Sequence, residues 1–331
     1  MGHRWSADGV QQLIRGFQPA CILAAAADWD VFTALEHAPA TADVLAARIG
    51  TDPHGTAVLL DALAALGLLA KQGDAFTTPL DVAELLSENS PRSILPGIRH
   101  QANCLRRWAQ LSRVVQTGRP AERTPSVRGE QADCESFIGA MNNFSETVAP
   151  HVIGRLMPLR FQRLLDVGGA SGTWTIAFLL AVPDATAVLF DLPEVIPLAR
   201  ERLTRAGLAD RVTLVAGDYN CDPLPAGADL AWLSAVAHQN SRGQNRALYT
   251  RIHASLAPQG ALVIRDIVMD ASRTHPPAGA LFAVNMLTAT EAGGVFTLDE
   301  FREDLESAGF SDVRLIHQGE GMNSLVRAAR S

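Results

Sequence analysis

The sequence predicts an α/β protein in which a doubly wound, mostly parallel seven-stranded sheet follows an α-helical, winged-helix-like domain. Three observations carry this reading. From Phe161 onward, short apolar runs alternate with helical stretches, the pattern of successive βαβ units. Before Leu69, apolar residues instead recur at helical spacing. The length of 331 residues exceeds one ordinary core and suits two domains of roughly 100 to 200 residues each.

In chain order, Val10 to Leu69 reads as three short helices, interrupted at His37 to Thr41 and at Gly50 to Gly55. Thr41 is placed to cap ADVLAARI and Gly50 to end it. A further helix from Thr56 through Leu66 follows at helix-turn-helix spacing. Leu68 to Pro79 then forms two short strands around Gly73, completing a wing. Pro91 to Pro120 is mostly helical and Ala121 to Gly129 is loop-like. The expected division is a winged-helix-like domain over 1–120, linking helices to about 148, and an α/β domain over 149–331. Seven apolar runs, RLLDV, TAVLFD, RVTLVA, ADLAWLS, ALVIRDIV, DVRLIH and SLVRAA, supply the seven strands.

Composition removes several function classes. No run approaches the roughly 20 apolar residues of a membrane span. The start, MGHRWSADGVQQ, lacks the basic and apolar regions of a secretory signal, so cytoplasmic residence is the expectation. Cys21, Cys104, Cys134 and Cys221 are scattered singly, without metal or disulfide spacing, so neither a metal nor a disulfide framework is expected. A formal net charge of −7 disfavours nucleic acid, whose binding rests on phosphate neutralisation. The would-be recognition helix, TAVLLDALAALGLL, carries no Lys or Arg to read a groove. Its apolar faces are expected to pack on another subunit or on the second domain, and a homodimer is the natural form.

The cofactor signal lies in RLLDVGGASGTWTIAFLL, Arg163 to Leu180, an apolar strand followed by a glycine-rich turn and a helix. Gly168, Gly169 and Gly172 let the turn adopt unusual dihedrals and let a ligand approach the backbone at the helix start. A nicotinamide-binding turn would read GxGxxG. Here the spacing is GGxxG, and the preceding Asp166 suits an amino acid's ammonium better than a phosphate. Asp191 ends the next strand, 25 residues later, where a carboxylate can accept from both ribose hydroxyls. In AGDYN, Asp218 can accept from an adenine amino group while Tyr219 lies against the ring. Each acid alone reads equally well as a helix cap. Three at the carboxyl ends of consecutive strands mark the edge where open α/β sheets bind ligands.

These segments resemble the class I S-adenosylmethionine-dependent methyltransferases, and more closely the small-molecule O-methyltransferases that include the caffeate, acetylserotonin and hydroxyneurosporene enzymes. LLDVGGASG, Asp191-Leu192-Pro193, AGDYN, LSAVAHQN, LAPQGALVIRD and TLDEFREDLESAGF carry the resemblance, which spans nearly the whole chain. It implies S-adenosyl-L-methionine as cofactor, a small-molecule acceptor from secondary metabolism, and a dimerisation role for the N-terminal domain. The residues expected around the cofactor are Asp166, Gly168, Gly169, Gly172, Asp191, Leu192, Asp218, Tyr219 and Ser234.

A sulfonium methyl is already activated, so the protein has mainly to hold the acceptor in line and remove a proton. His238, just past ADLAWLS at the ligand-binding edge, is the candidate base, and the resemblance implies the same role. Asp266 falls where plant members place an acid. It either orients the imidazole or pairs with neighbouring Arg265. The sequence departs from the family at Gln239 and Asn240, where His is usually followed by Asp, and at Val295, where plant members carry a second acid. An amine or carbon acceptor therefore stands beside a hydroxyl as an alternative. By the same resemblance, FIGAMNNF and LFAVNML line the acceptor pocket. Met141, Asn142, Asn285 and Met286 are its candidate contacts, and ordinary helix packing is the competing reading.

Overall fold

The computed structural model describes residues 4–158 and 160–330. The chain divides into two compact units, one of residues 1–109 and 123–143, the other of 110–122 and 144–331.

The first unit is helical. Helix α1 (Ala7–Arg15) starts where Ser6 Oγ accepts from Gly9 N, and it buries none of its residues. α2 (Phe17–Asp28) and α3 (Val31–Ala34) lead to a short strand, β1 (Ala40–Thr41). Thr41 caps α4 (Ala42–Ile49) by accepting from Val44 N, and Gly50, at φ +73°, ends it as the sequence predicts. α5 (Pro53–Ala65) is capped by Asp52. The wing is β2 (Ala70–Gln72) paired with β3 (Ala75–Thr77), and β3 also pairs with β1. Phe32, Leu35, Leu45, Leu60, Leu63 and Phe76 form the core. α6 (Leu80–Leu86) and α7 (Leu95–Trp108) follow; α8 (Leu111–Thr117) belongs to the second unit, and α9 (Glu130–Glu146) begins in the first.

The second unit carries the expected sheet. After α10 (Ala149–Leu156), its strands are β4 (Arg163–Val167), β5 (Thr186–Asp191), β6 (Val212–Ala216), β7 (Ala228–Ser234) and β8 (Leu256–Asp266). Beyond the short β9 (Val268–Met269) and β10 (Phe296–Thr297) come β11 (Phe310–His317) and β12 (Ser324–Arg330). The seven strands lie in the order β11-β12-β8-β7-β4-β5-β6. Only the β11–β12 and β12–β8 pairs are antiparallel. Between the strands run α11 (Thr173–Ala181), α12 (Ile196–Arg205), α13 (Arg242–Ser255), α14 (Pro277–Ala289) and α15 (Leu298–Ser307).

The inner strands β4, β5, β7 and β8 are buried on both faces, which explains why they read as largely continuous apolar runs, whereas the edge strands β6 and β11 keep exposed positions. Leu165, Val167, Leu233 and Ile264 point into one core with Tyr249 and Phe301. Their neighbours Leu164, Trp232 and Val263 point into the other with Trp174 and Phe178. The strict period of two along each strand thus decides which face every side chain serves. The ends of β4, β5, β7 and β8 come together at the carboxyl edge of the sheet.

Candidate active site

At that edge the three glycines of the first turn have separate physical reasons. Gly168 and Gly172 hold φ values of +69° and +83°, which side chains disfavour. Gly169 is needed for space, since a Cβ there would sit 2.6 Å from the buried Leu189 Cγ. A Cβ on Gly168 would fill the gap to Val236, at 3.1 Å, and to the Tyr219 ring, at 3.7 Å. The bare backbone at Gly168 therefore faces an aromatic ring across a space that a side chain would close.

Asp191, at the end of β5, accepts from the N–H groups of Ala170 and Leu192, each at 2.7 Å, and so ties the glycine turn to its own strand. Burial raises its pKa against the pull of those two donors. Leu192 beside it is 39% exposed. Asp218 caps its own loop by accepting from Asn220 N at 2.8 Å. Burial and the charges of Asp191 and Asp218 push the Tyr219 phenol up to about 12, so it stays neutral. Asp166 lies beneath the turn, 1% exposed, and accepts from the Thr175 hydroxyl at 2.6 Å. Burial lifts its carboxyl to about 7, with the nearby charge of Asp191 adding to the effect.

The base candidate follows β7, the strand next to β4. After β7 the chain passes through Ala235, at φ +57°, into a short 3₁₀ turn, Ala237–Gln239, that carries His238. Its Nδ1 lies 3.0 and 3.1 Å from the two carboxyl oxygens of Asp266, and its backbone N–H donates to the same carboxyl at 3.2 Å. Ile267 N holds the carboxyl from its other side at 2.8 Å. Both partners are buried, and the Phe282 ring meets the imidazole edge-on at 4.9 Å. With Nδ1–H donating to the carboxyl, Nε2 is left as the acceptor. Asp266 thus serves His238, not Arg265, because consecutive residues of β8 point to opposite faces. Arg265 turns instead to Ser234 and Asn323.

Several supports had no clear sequence signal. Asn245, buried in α13, donates to Ala237 O and accepts from Asn240, so two buried amides brace the turn around His238. The pair stands five residues apart in HQNSRGQN, a polar cluster that invited notice without specifying a partner. Gly294 N donates to His238 O, and Gly293 packs so close that a Cβ would lie 2.5 Å from that oxygen. Val295 belongs to an apolar cluster with Ile267 and Met269.

The acceptor candidates fall in both units. Met141 and Asn142 are half-buried on α9 in the first unit, where the adjacent Asn143 is used for packing, through Gly97 N and Ser93 O. In the second unit, Met286 is buried on α14 and Asn285 is half-buried. Among the described residues no cluster suited to a metal ion occurs and no helix is long and apolar enough to cross a membrane.

Comparison with known proteins identifies both domains. The O-methyltransferase domain model matches residues 113–311, and the O-methyltransferase dimerisation domain model matches residues 11–93. The tetracenomycin polyketide synthesis 8-O-methyl transferase of Streptomyces glaucescens is 32% identical, over 92% of this chain and 91% of that protein. An N,N-dimethyltransferase of Streptomyces rimosus is 29% identical, over 95% and 92% of the two chains. Human N-acetylserotonin methyltransferase, solved in complex with its methyl donor, has the same fold, with a TM-score of 0.80 at 24% identity and full coverage of both chains. Glycine turn, strand-end acids and matched domains agree, and the chain belongs to the S-adenosylmethionine-dependent O-methyltransferase family.

Proposed function

We propose that this enzyme transfers a methyl group to a hydroxyl of a small, fairly apolar aromatic acceptor, with His238 as general base. The observation that carries the reading is the buried His238–Asp266 pair at the carboxyl edge of the sheet. S-adenosylmethionine, when bound, supplies a methyl already activated by its sulfonium. Gly168, Gly169 and Gly172 would admit it to the backbone, with Asp166 supporting the turn from below. Asp191 and Leu192 would meet the ribose, Asp218 and Tyr219 the adenine, and Ser234 the far side of the pocket. The residues' own work is to hold and deprotonate the acceptor. His238 Nε2 accepts the hydroxyl proton, and Asp266 fixes the tautomer and stabilises the imidazolium that results. Phe282 restricts rotation of the ring. Met141, Asn142, Asn285 and Met286 are proposed acceptor contacts.

One acid fewer than the plant arrangement, with Val295 apolar, favours acceptors whose hydroxyl is already acidic, such as phenols and hydroxyquinones. An amine acceptor is the second reading, favoured by the similarity to an N,N-dimethyltransferase. A screen of paired phenols and arylamines, with the added methyl located by NMR, decides between them. Methylation confined to nitrogen would overturn the oxygen assignment. We also propose a homodimer, supported by the exposed apolar residues Val10, Leu13 and Ile14 of α1 and Phe17 at the start of α2, each at least half exposed. Light scattering at twice the chain mass is expected, and a monomer would refute it.

A further inference from the structure

Arg265 is a buried cation without a buried anion. Its side chain lies at the carboxyl end of β8, opposite Ser234 of β7 in the parallel register, and the residue is 5% exposed. Nε and Nη2 donate to Asn323 Oδ1, at 3.0 and 2.7 Å, and Nη1 donates to Ser234 Oγ at 3.1 Å. The guanidinium lies over the Trp174 ring, 4.5 Å from its centroid. These partners are all neutral. No carboxylate of the described residues comes within ion-pair distance, and Asp266, its chain neighbour, is committed on the opposite face to His238.

A guanidinium has five N–H groups. The three bonds above leave two without an acceptor among the described residues. Burying a charge in this way is costly unless an opposite charge meets it, and a planar fork with spare donors matches a carboxylate. Burial pulls the group down to about 10 against the opposing charge of nearby Asp266, which is not within ion-pair distance. Its place is also specific. Trp174 stands in the first turn of α11, the helix that begins at Gly172, so the fork shares a face and an edge of the sheet with the glycine turn.

We propose that Arg265 is a carboxylate-binding residue of the active site, a role resting on the methyltransferase reading above. Two carboxylates can reach that edge: the amino-acid end of the methyl donor, and a carboxylate on the acceptor. The donor's is favoured, because Trp174 belongs to the helix that its turn initiates.

The test is calorimetric titration of the full chain and of Arg265→Met with S-adenosylhomocysteine and with 5′-methylthioadenosine, which keeps the adenosyl thioether but lacks the aminocarboxylate end. The expected result is S-adenosylhomocysteine bound about 10- to 100-fold more weakly by the variant, with methylthioadenosine unchanged. Arg265→Lys, which keeps the charge but not the fork, is expected to fall between. Unchanged binding of S-adenosylhomocysteine, with loss of 3-hydroxybenzoate binding to the loaded protein, would assign the fork to the acceptor's carboxylate. Equal weakening of both thioethers, or no change with any of the three probes, would overturn the proposal and leave Arg265 a packing residue. Failure of the unsubstituted chain to bind either thioether would instead remove the methyltransferase reading itself.

Discussion

Replacing Asp266 with Asn keeps size and shape while changing one acceptor into a donor. The Asp266 carboxyl takes three N–H groups, from His238 Nδ1, His238 N and Ile267 N, all within 3.2 Å. A carboxamide can satisfy one side with its oxygen, and its NH₂ must then face a backbone N–H or the imidazole. Facing the backbone leaves two buried donors in opposition, at about 1–3 kcal/mol. Facing Nδ1, it forces the ring proton onto Nε2 and removes the base. A positioned base contributes about 10²- to 10⁴-fold, so Asp266→Asn is expected to lower kcat by about 10²-fold or more. KM for S-adenosylmethionine and affinity for S-adenosylhomocysteine should stay unchanged. Steady-state kinetics with a phenol that the unsubstituted enzyme methylates, followed by product release, reads this out. A loss of kcat below about tenfold would refute the claim that the pair acts as base and orienter.

Further outcomes follow from the same geometry. Gly169→Ala forces a methyl against Leu189 and should cost about 1–3 kcal/mol, seen as a lowered thermal midpoint; an unshifted midpoint would mean that the turn has room to relax. Asp166, lifted to about 7 by burial, keeps its proton between about pH 4 and 7 while the unfolded chain has released it. Its contribution is therefore greatest at low pH and is lost as pH rises toward 7, by at most about 4 kcal/mol. Asp166→Asn removes that slope, so urea titrations should show the variant gaining on the parent between pH 4.5 and 8 (chosen to bracket about three pH units). A constant difference would mean that Asp166 is ionised in the folded chain. Asn245→Leu frees Ala237 O and Asn240 from their partner and is expected to lower kcat more than it raises KM; equal change in both would make its role purely structural.

Much of this is legible in the sequence. The inner strands are readable because a doubly covered sheet makes each a short, largely apolar run, while the edge strands β6 and β11 are marked by their place in the alternation with helices. Thr41 and Gly50 were readable as the cap and stop of α4 because both act on backbone groups within four residues. What stayed open depended on register. Asp266 had two eligible partners, His238 and Arg265, and only the alternation of β8 sends the two neighbours to opposite faces. The destination of Arg265 was equally hidden, because Asn323 lies 58 residues further along the chain. The three glycines form one motif in the sequence, yet two answer to backbone dihedral and one to the proximity of Leu189, which belongs to another strand.

The measurement that bears most directly on the account is single-turnover methyl transfer by His238→Ala, loaded with S-adenosylmethionine and saturated with a phenolic acceptor. The expected result is a rate lowered by about 10²-fold or more at unchanged donor affinity. Transfer at the parent rate would contradict it, leaving the buried imidazole a structural partner of Asp266.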